Sequence, residues 1–430
     1  MLDLEFIRQN SKLVEKNAKN KRVNVDIEYV LKSDEQNRQL ITAIGKLRSE
    51  LNSKSKVKPD KKTINELKKL GQEIKELEIK QKEAEEILKK ILYKIPNIAS
   101  DDTPIGKDES GNVVLREAGE RQHYDFKLKE HWELAKKLDL AEFDKAAAIS
   151  GSRFFYLKNE LALLQFAIIN FTFSTLADEL ALAAIAKKAL LNVSIKPFIP
   201  VVPPVFIKPE VMEKMARLEP KEERYYISSD DQYLVGSAEH TLGPLHMDEI
   251  LDKKSLPIRY IGYSSAFRRE AGSYGKDTKG MIRVHQFDKL EMESFTAPED
   301  SLNEQNFIVA IQEYLMSSLK IPYRVVSICT GDMGGPDARQ IDIEAWLPGL
   351  NTYKETHTSD LMTDYQTRRL KTRVKLDDGK VVFVHTNDAT AFAIGRTLVA
   401  IMENYQQADG SIVIPEVLQK YMGGLKIIKR

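Results

Sequence analysis

The chain has 430 residues, and its 65 lysines and arginines balance 64 aspartates and glutamates, which leaves a formal net charge of +1 at pH 7. This balance excludes a global positive field that would draw the whole chain onto nucleic acid, so any RNA contact must come from local patches. A single cysteine, Cys329, excludes a disulfide framework and a cysteine-rich zinc site, and it fits a reducing compartment.

The first hundred residues predict a helical domain. Residues 1–32 predict a short helical cap, and they lack the basic start and apolar core of a signal peptide. From Ser33 onward leucines and isoleucines follow a heptad-like spacing, which resumes at Ile64 and ends before Pro96. Two such helices joined by a short polar turn predict an antiparallel helical coiled-coil arm. The turn region is rich in lysine: Lys54, Lys56, Lys58, Lys61 and Lys62.

Two interpretations of this arm are open from its residues alone. An anonymous helical hairpin is most often a spacer or an oligomerisation coiled coil. The functional alternative is an arm that lies along RNA, with lysines that neutralise phosphates without reading bases.

The segment after the arm predicts a linker with short strands over residues 97–130 and then a helix-rich region. Its longest apolar run, from Leu161 to Ala177, contains five polar residues and is too short and too polar to span a bilayer. We therefore expect no membrane span and a cytoplasmic location. The stretch at 196–210 contains five prolines and must be extended at the edge of a sheet.

Residues 258–295 predict a strand, a Gly/Lys-rich loop and a second strand. Residues 301–320 then predict an amphipathic helix, and the strands that follow include a hairpin turn at 377–379. The segment TAFAIGRTLVAIMENYQ predicts a helix that begins with small residues. No βαβ series, P-loop or dinucleotide-binding motif is present in the sequence, so we expect an α+β fold with an antiparallel sheet flanked by helices.

The order F-R-x-E, a Gly/Lys loop and R-V-H-Q-F in residues 258–295 resembles motif 2 of class II aminoacyl-tRNA synthetases, and its wording is closest to the seryl-tRNA synthetases. The likeness extends nearly from end to end, and it includes FIPVVPPVFI and GRTLVAIMENYQQADGSIVIPEVLQKYMGG. The resemblance implies a tRNA-binding helical domain over residues 1–100 and a catalytic domain over residues 101–430. Motifs 1, 2 and 3 would lie at about 160–206, 258–295 and 384–405.

The resemblance also implies an activity. L-serine would be activated by ATP with Mg²⁺ and then transferred to the 3′ end of serine tRNA. The resemblance leaves open whether selenocysteine tRNA is also charged. It implies a homodimer built through motif 1, with Pro203 and Pro204. One subunit's arm would hold the tRNA, while Lys276 and Lys279 of the other subunit's motif 2 loop would touch the acceptor end.

Roles in ATP binding come from the same resemblance. Arg268 would act on the α-phosphate and Arg396 on the γ-phosphate, and these two are the catalytic candidates. Glu270 would contact adenine, which would stack on Phe287. The remaining implied ATP contacts are Arg269, Val284, Glu355, Thr356, His357 and Thr358, and of these Glu355 and Thr358 would hold Mg²⁺.

For the amino acid, the resemblance implies a pocket with two carboxylates, Glu239 and Glu291. Around them it places Ser237 and Ala238 of the loop before Glu239, together with Arg268 and Thr390. Two carboxylates can hold an ammonium and a hydroxyl together. A site that must hydrogen-bond a hydroxyl rejects an analogue without it by roughly 10⁴–10⁵ in favourable cases.

Two short sequence segments differ from the residues that are common in the family. After Glu355 the chain has Thr356-His357-Thr358-Ser359-Asp360-Leu361 where a hydrophobe followed by S-S-C-S-N is common. Ahead of Arg396 it has Asn387-Asp388-Ala389-Thr390 where Leu-Asn-(Gly/Ala)-(Ser/Thr) is common. The segment at 176–196 is longer than the family's norm and predicts one extra helix.

Two alternatives to the implied function are a synthetase-like RNA-binding protein without catalysis and a paralogue that activates another small amino acid. The first has no need of the arginines and carboxylates of an ATP site, which this chain retains. The second has no need of a long basic arm.

Overall fold

The computed structural model describes residues 1–56, 60–271 and 279–430, so Lys58 and Lys276 lie outside the described residues. The chain divides into two compact units, Met1–Ile98 and Ala99–Arg430. Among the described residues no single helix is long and apolar enough to cross a membrane, although one pair of helices bent by 79° passes the same test together.

Helices are the regular secondary structure of the N-terminal unit over its described residues. Its helices are α1 (Leu4–Gln9), α2 (Ser11–Asn20), α3 (Ile27–Ser55) and α4 (Lys61–Leu92). The antiparallel hairpin of α3 and α4 is confirmed, because Arg48 pairs with Glu78 at 2.7 Å and Lys54 pairs with Glu66 at 3.5 Å.

The first long helix begins earlier than its heptad pattern suggested. Helix α3 starts at Ile27 rather than near Ser33, because the Asp26 side chain accepts a hydrogen bond from the Tyr29 amide and caps the helix there. Asp60 caps α4 in the same way through the Thr63 amide.

The second unit is a mixed α and β domain. Its helices are α5 (His131–Lys137), α6 (Asp144–Ser150), α7 (Asn159–Leu176), α8 (Glu179–Lys188), α9 (Pro209–Lys214), α10 (Glu239–Leu242), α11 (Ser301–Ser318), α12 (Tyr365–Leu370), α13 (Ile394–Asn404) and α14 (Glu416–Gln419). Its strands are β1 (Val113–Ala118), β2 (Ala141–Glu142), β3 (Tyr156–Leu157), β4 (Ile199–Val201), β5 (Phe206–Ile207), β6 (Tyr226–Ile227), β7 (Gln232–Leu234), β8 (Ile250–Asp252), β9 (Ile258–Phe267), β10 (Gln286–Thr296), β11 (Tyr323–Ser327), β12 (Arg339–Leu347), β13 (Thr352–Thr363), β14 (Arg373–Lys375), β15 (Val381–Phe383), β16 (His385–Ala393), β17 (Ile412–Val413) and β18 (Ile427–Ile428).

The central sheet has eight strands in the order β1-β11-β12-β13-β16-β10-β9-β4. Every neighbouring pair is antiparallel except β4 and β9, which are parallel. The α+β fold with an antiparallel sheet is thus confirmed. The proline-rich stretch supplies the edge strand β4, as its missing amide donors require.

Several local predictions are also confirmed. The loop at 377–379 joins β14 to β15 as a hairpin, the segment at 301–320 forms α11, and α8 lies within the segment 176–196. One is wrong: the small residues at 390–393 do not open a helix but end β16, and α13 begins at Ile394.

Helices α7, α11 and α13 cover the sheet and build its core. Leu161, Leu164, Phe307, Ile311 and Leu398 are all fully buried there. Two glutamines of α11 also bond to the sheet. Gln305 donates to the carbonyls of Arg339 and Ser359, both at 3.0 Å. Gln312 donates to the carbonyls of Thr358 and Thr390 at 2.9 and 2.8 Å, and so ties the centre of β13 to β16.

Candidate active site

A pocket of about 260 Å³ opens on the central sheet between β9, β10, β13, β16 and the first turn of α13. Most of the residues that the sequence analysis assigned to ATP and amino-acid binding line this pocket, although they come from five separate segments. Those that line it are Glu239, Arg268, Glu270, Val284, Phe287, Glu291, Glu355, Thr356, Thr358, Thr390 and Arg396.

Arg268 stands at the end of β9, where the hairpin of motif 2 leaves the sheet. Its amide donates to the His285 carbonyl, and the His285 Nδ1 lies 3.0 Å from the Arg268 carbonyl. These two contacts join the two sides of the hairpin at its base. The Arg268 Nε donates to the Gly236 carbonyl at 3.1 Å, and the guanidinium lies over the Phe287 ring at 5.4 Å from its centroid. A planar cation is thus held in the pocket beside an aromatic face.

Glu270 and Arg283 form an ion pair at 3.0 Å across the base of the same hairpin. Glu270 adopts a left-handed backbone conformation with φ of 51°, which turns the chain there. Strand β10 begins only at Gln286, so Val284, with its buried side chain, reaches the pocket from the approach to the strand.

Arg396 lies in the first turn of α13, immediately after β16. Its Nη1 donates to the Glu355 carbonyl and to Glu355 Oε1, both at 2.9 Å. The Glu355 side chain is about half exposed. The pocket removes part of its hydration, but the charges of Arg396 and Arg268 outweigh this desolvation and lower its pKa. Glu355 therefore stays ionised beside the arginine.

A register shift in β13 decides which of its residues face the pocket. Glu355 pairs with Glu344 whereas His357 pairs with Ile343, so β13 carries one extra residue there. Such a bulge brings two successive side chains toward one face, which accounts for Glu355 and Thr356 lining the pocket together. Thr358 follows by normal alternation.

His357 does not reach the pocket, which corrects its assignment as an ATP contact. The alternation after the bulge directs it to the opposite face, where it is fully buried against the Phe392 ring and bonds to Thr356 Oγ1 at 2.8 Å. Burial lowers the pKa of His357 to about 3, so the ring is neutral.

Four other sequence-assigned residues also lie away from the pocket wall. The Arg269 guanidinium stacks over Tyr225, with 5.8 Å to the ring centroid, because the chain has already left the sheet there. Lys279 lies over the Trp132 ring at 5.0 Å. Ser237 and Ala238 are buried behind the wall, and Ser237 Oγ accepts a hydrogen bond from Lys289 at 3.2 Å.

The amino-acid end of the pocket is a cluster of buried charges. Glu239, Glu291 and Asp388 place carboxylate oxygens within 4.8 Å of one another. Lys289 pairs with Glu291 at 2.6 Å, and Arg217 pairs with Glu239 at 2.7 Å. Burial raises the pKa of Asp388 well above its usual range, and the neighbouring charge of Glu239 adds to that effect.

Sequence reasoning did not assign Arg217 or Lys289 to this pocket. Lys289 could have been found, because it precedes Glu291 by two residues in one strand and must share its face. Arg217 follows α9 in an irregular segment, and no spacing in the sequence connects it to the pocket.

Among the lysines of the arm, Lys54 is already engaged. Its Nζ lies 2.9 Å from Glu50 and 3.5 Å from Glu66. Lys56, Lys61 and Lys62 are exposed near the tip.

Comparison with known proteins agrees with this geometry. Residues 1–99 match the family model of the seryl-tRNA synthetase N-terminal domain, and residues 224–405 match that of the class II tRNA synthetase core domain for G, H, P, S and T. The serine–tRNA ligase of Symbiobacterium thermophilum is 38% identical over 430 residues, which cover 98% of each chain. That of Nitrosopumilus maritimus is 36% identical and covers 100% of both.

Two solved structures are similar over the whole chain. The seryl-tRNA synthetase of Pyrococcus horikoshii complexed with ATP has a TM-score of 0.87 at 36% identity, and covers 100% of this chain and 99% of that one. The cytoplasmic serine–tRNA ligase of Naegleria fowleri in complex with AMP has a TM-score of 0.85 at 30% identity, with the same coverage. The chain therefore belongs to the seryl-tRNA synthetase family of class II aminoacyl-tRNA synthetases.

Proposed function

We propose that this protein activates L-serine with ATP and transfers the seryl group to the 3′ end of a serine tRNA. The observation that carries the proposal is that one pocket holds two arginines suited to phosphates, Arg268 and Arg396, next to two carboxylates suited to an amino acid, Glu239 and Glu291.

In the first step an oxygen of the serine carboxylate attacks the α-phosphorus of ATP. A bond forms between that oxygen and the phosphorus, the bond to the bridging β-phosphate oxygen breaks, and pyrophosphate leaves. Catalysis of such a step consists mainly of positioning and of neutralising phosphate charge. Arg268 is assigned to the α-phosphate, where its planar guanidinium can bind two oxygens, and Arg396 to the γ-phosphate.

The adenine end is assigned to the hairpin of motif 2. Phe287 offers an aromatic face for stacking and Glu270 a carboxylate for the exocyclic amine. Val284 and Thr356 complete the wall on either side.

Glu355 and Thr358 fit a magnesium ion, because they offer a carboxylate and a hydroxyl on one side of the pocket and leave space for phosphate oxygens. When bound, the ion would supply charge neutralisation on the triphosphate. Arg396 already holds Glu355 in position for that role.

The serine ammonium and hydroxyl are assigned to Glu239, Glu291 and Thr390. Ser237 and Ala238 support this end from behind, since Ser237 binds the ammonium of Lys289, which in turn pairs with Glu291. In the second step a ribose hydroxyl of the terminal adenosine attacks the seryl carbonyl carbon. The ester bond forms and AMP leaves.

We assign the tRNA contacts to the tip of the arm and to the motif 2 loop, and the assembly to a homodimer through motif 1. Supporting the dimer, five large apolar residues of motif 1 are between 44% and 75% exposed: Leu163, Phe166, Ile199, Val202 and Phe206. An exposed apolar group of this kind is typical of an interaction surface.

ATP–pyrophosphate exchange on the purified protein, with serine, threonine, alanine and glycine compared, tests the proposal. We expect exchange with serine and at least a hundredfold less with the others, followed by charging of serine tRNA. Exchange with another of these amino acids would favour a paralogue. A protein that exchanges with none of them but binds tRNA would overturn the catalytic proposal.

A further inference from the structure

Arg217 enters the amino-acid end of the pocket from the segment after α9. Its backbone is held on both sides, because its amide donates to the Met212 carbonyl at 3.2 Å and its own carbonyl accepts from Arg224 Nε at 2.9 Å. Ala216 just before it has φ of 56°, a left-handed turn that ends α9 and directs the chain toward the sheet.

The Arg217 guanidinium lies among carboxylates. Its Nε is 2.7 Å from Glu239 and its Nη2 donates to Asp388 at 3.0 Å. Asp360 and Asp337 lie farther away, at 3.7 and 3.8 Å. The side chain is only 15% exposed, so this cation is largely withdrawn from water and depends on these partners.

Two of these partners, Asp360 on β13 and Asp388 on β16, lie directly opposite each other on neighbouring strands. Both carboxyl groups approach the same guanidinium. A buried arginine requires an anionic partner, which Glu239 supplies, whereas burial raises the pKa of both aspartates well above their usual range.

Arg217 also lies at the boundary between two adjoining cavities. It lines the 260 Å³ pocket and a neighbouring cavity of about 490 Å³, to which Arg224 and His240 belong. Glu239, Arg268, Glu270 and Arg283 line both cavities as well, and of these Glu239 borders them at the amino-acid end. A shorter side chain at position 217 would join the amino-acid end of the pocket to this second space.

We propose that Arg217 determines the specificity for the amino acid. Held between Glu239 and Asp388, its guanidinium closes the pocket toward the second cavity and limits the bound side chain to about the size of serine's. The inference rests on the proposed function, in which Glu239 and Glu291 hold the amino acid.

The same guanidinium has an electrostatic effect that can be separated from its volume. Burial alone would raise the pKa of Glu239, but the charges of Arg217 and Lys289 outweigh burial and lower it to about 2. Glu239 is therefore ionised and able to bind an ammonium. Loss of the charge weakens amino-acid binding, whereas loss of the volume relaxes the size limit.

A matched pair of variants separates the two effects. Arg217→Met/Asp388→Asn and Arg217→Ala/Asp388→Asn carry the same charge and differ in the length of one side chain, with Asp388→Asn alone as reference. Pyrophosphate exchange is measured with serine, threonine and homoserine, and kcat and KM are determined separately. Lys221→Ala, on the exposed loop beyond Arg217, is the control that should match the wild type.

We expect both double variants to raise the KM for serine relative to Asp388→Asn. Only the alanine variant should lose discrimination, by about tenfold or more in the kcat/KM ratio of serine over threonine and homoserine. The methionine variant should keep that ratio within about threefold of the reference, because its side chain still fills the gap. If the alanine variant does not fold, Arg217→Val/Asp388→Asn gives the same comparison.

The outcomes separate this inference from the proposed function. A wild-type protein that fails to exchange with any amino acid overturns the proposed function and the inference with it. A wild type active with serine, together with equal discrimination in the methionine and alanine variants, overturns the role of Arg217 alone.

Discussion

Glu239 and Glu291 place carboxylate oxygens within 4.8 Å of each other, yet their pKa values are shifted in opposite directions. Burial favours the neutral form of both. The nearby cations lower the pKa of Glu239 to about 2. For Glu291 burial prevails over the charge of Lys289, the negative charge of Glu239 adds to it, and its pKa rises to about 7. The two carboxylates thus hold different numbers of protons near neutral pH.

Serine binding should therefore depend on pH in a defined direction. Below the raised pKa Glu291 carries a proton and is neutral, so it attracts an ammonium less strongly than the carboxylate does. The KM for serine in pyrophosphate exchange should rise by up to about tenfold as the pH falls from about 8 to about 6. Glu291→Gln should bind serine weakly and without this pH dependence. A flat profile in the wild type would contradict the assignment.

Arg268 and Arg396 should differ in the kinetic constant that each controls. Charge develops at the α-phosphate during the reaction, so Arg268→Lys should lower kcat of exchange by about 10²–10³. Arg396→Lys should mainly raise the KM for ATP, because a γ-phosphate contact is already made in the ground state. The comparison requires both variants at saturating serine. If Arg268→Lys changed only the KM for ATP, the α-phosphate assignment would be wrong.

Removing one partner of the buried pair of Arg259 on β9 and Glu304 on α11 should strongly destabilise the fold. Two bonds of 2.6 Å join them, and both side chains are almost fully buried. Arg259→Met leaves Glu304 as an unpaired buried charge and should lower the free energy of unfolding by about 3–5 kcal/mol.

Denaturant unfolding followed by circular dichroism measures that loss. Arg259→Met/Glu304→Leu should recover most of it, because no buried charge remains. Lys320→Ala breaks a highly exposed pair with Glu416 and should change stability by about 0–1 kcal/mol. Equal losses for the buried and the exposed pair would show that burial does not decide the effect.

The lysines at the tip of the arm should affect tRNA and not the chemistry of activation. Changing Lys56, Lys61 and Lys62 together to alanine should raise the KM for serine tRNA. The slope of log affinity against log salt should fall by about 0.7–0.9 for each phosphate that the variant no longer neutralises. Pyrophosphate exchange, which needs no tRNA, should be unchanged. Lys54→Ala is the matched control with a smaller effect, since Glu50 and Glu66 already engage that ammonium.

The apolar surface of motif 1 should hold the dimer together. Phe166 is 54% exposed on α7, and a charge there would have to be buried in the interface. Phe166→Glu should convert the protein to a monomer in sedimentation analysis and abolish charging. Ala148→Glu, at an exposed position on α6 outside motif 1, controls for the added charge. A wild type that sediments as a monomer would refute the dimer.

The arm and the main hairpin could be predicted because their signals are local. Heptad spacing fixes the face of a helix, and alternation fixes the face of a strand such as β9. The first and last residues of a helix were harder to predict where a side chain caps the helix by a hydrogen bond to the backbone. Asp26 starts α3 before its heptads begin, since a cap depends on one residue and not on a repeat.

The pocket was predictable only in part, for two physical reasons. One inserted residue in β13 reverses the alternation, and this sends His357 into the core while Glu355 and Thr356 share a face. Arg217 reaches the pocket by a tertiary approach of an irregular segment, and its partners Asp360 and Asp388 are more than 140 residues away in the chain. No local sequence pattern predicts such a long-range tertiary contact.

Strand β16 continues into α13 without a loop, since Ala393 ends the strand and also caps the helix. Thr390 at the amino-acid end and Arg396 at the triphosphate end are therefore six residues apart with no loop between them, although β16 has a register shift just after Thr390. Inserting or deleting one residue between them would rotate Arg396 by roughly 100° about the axis of α13. Length variation in this family should consequently be excluded from this segment, while the loops around it are free to vary.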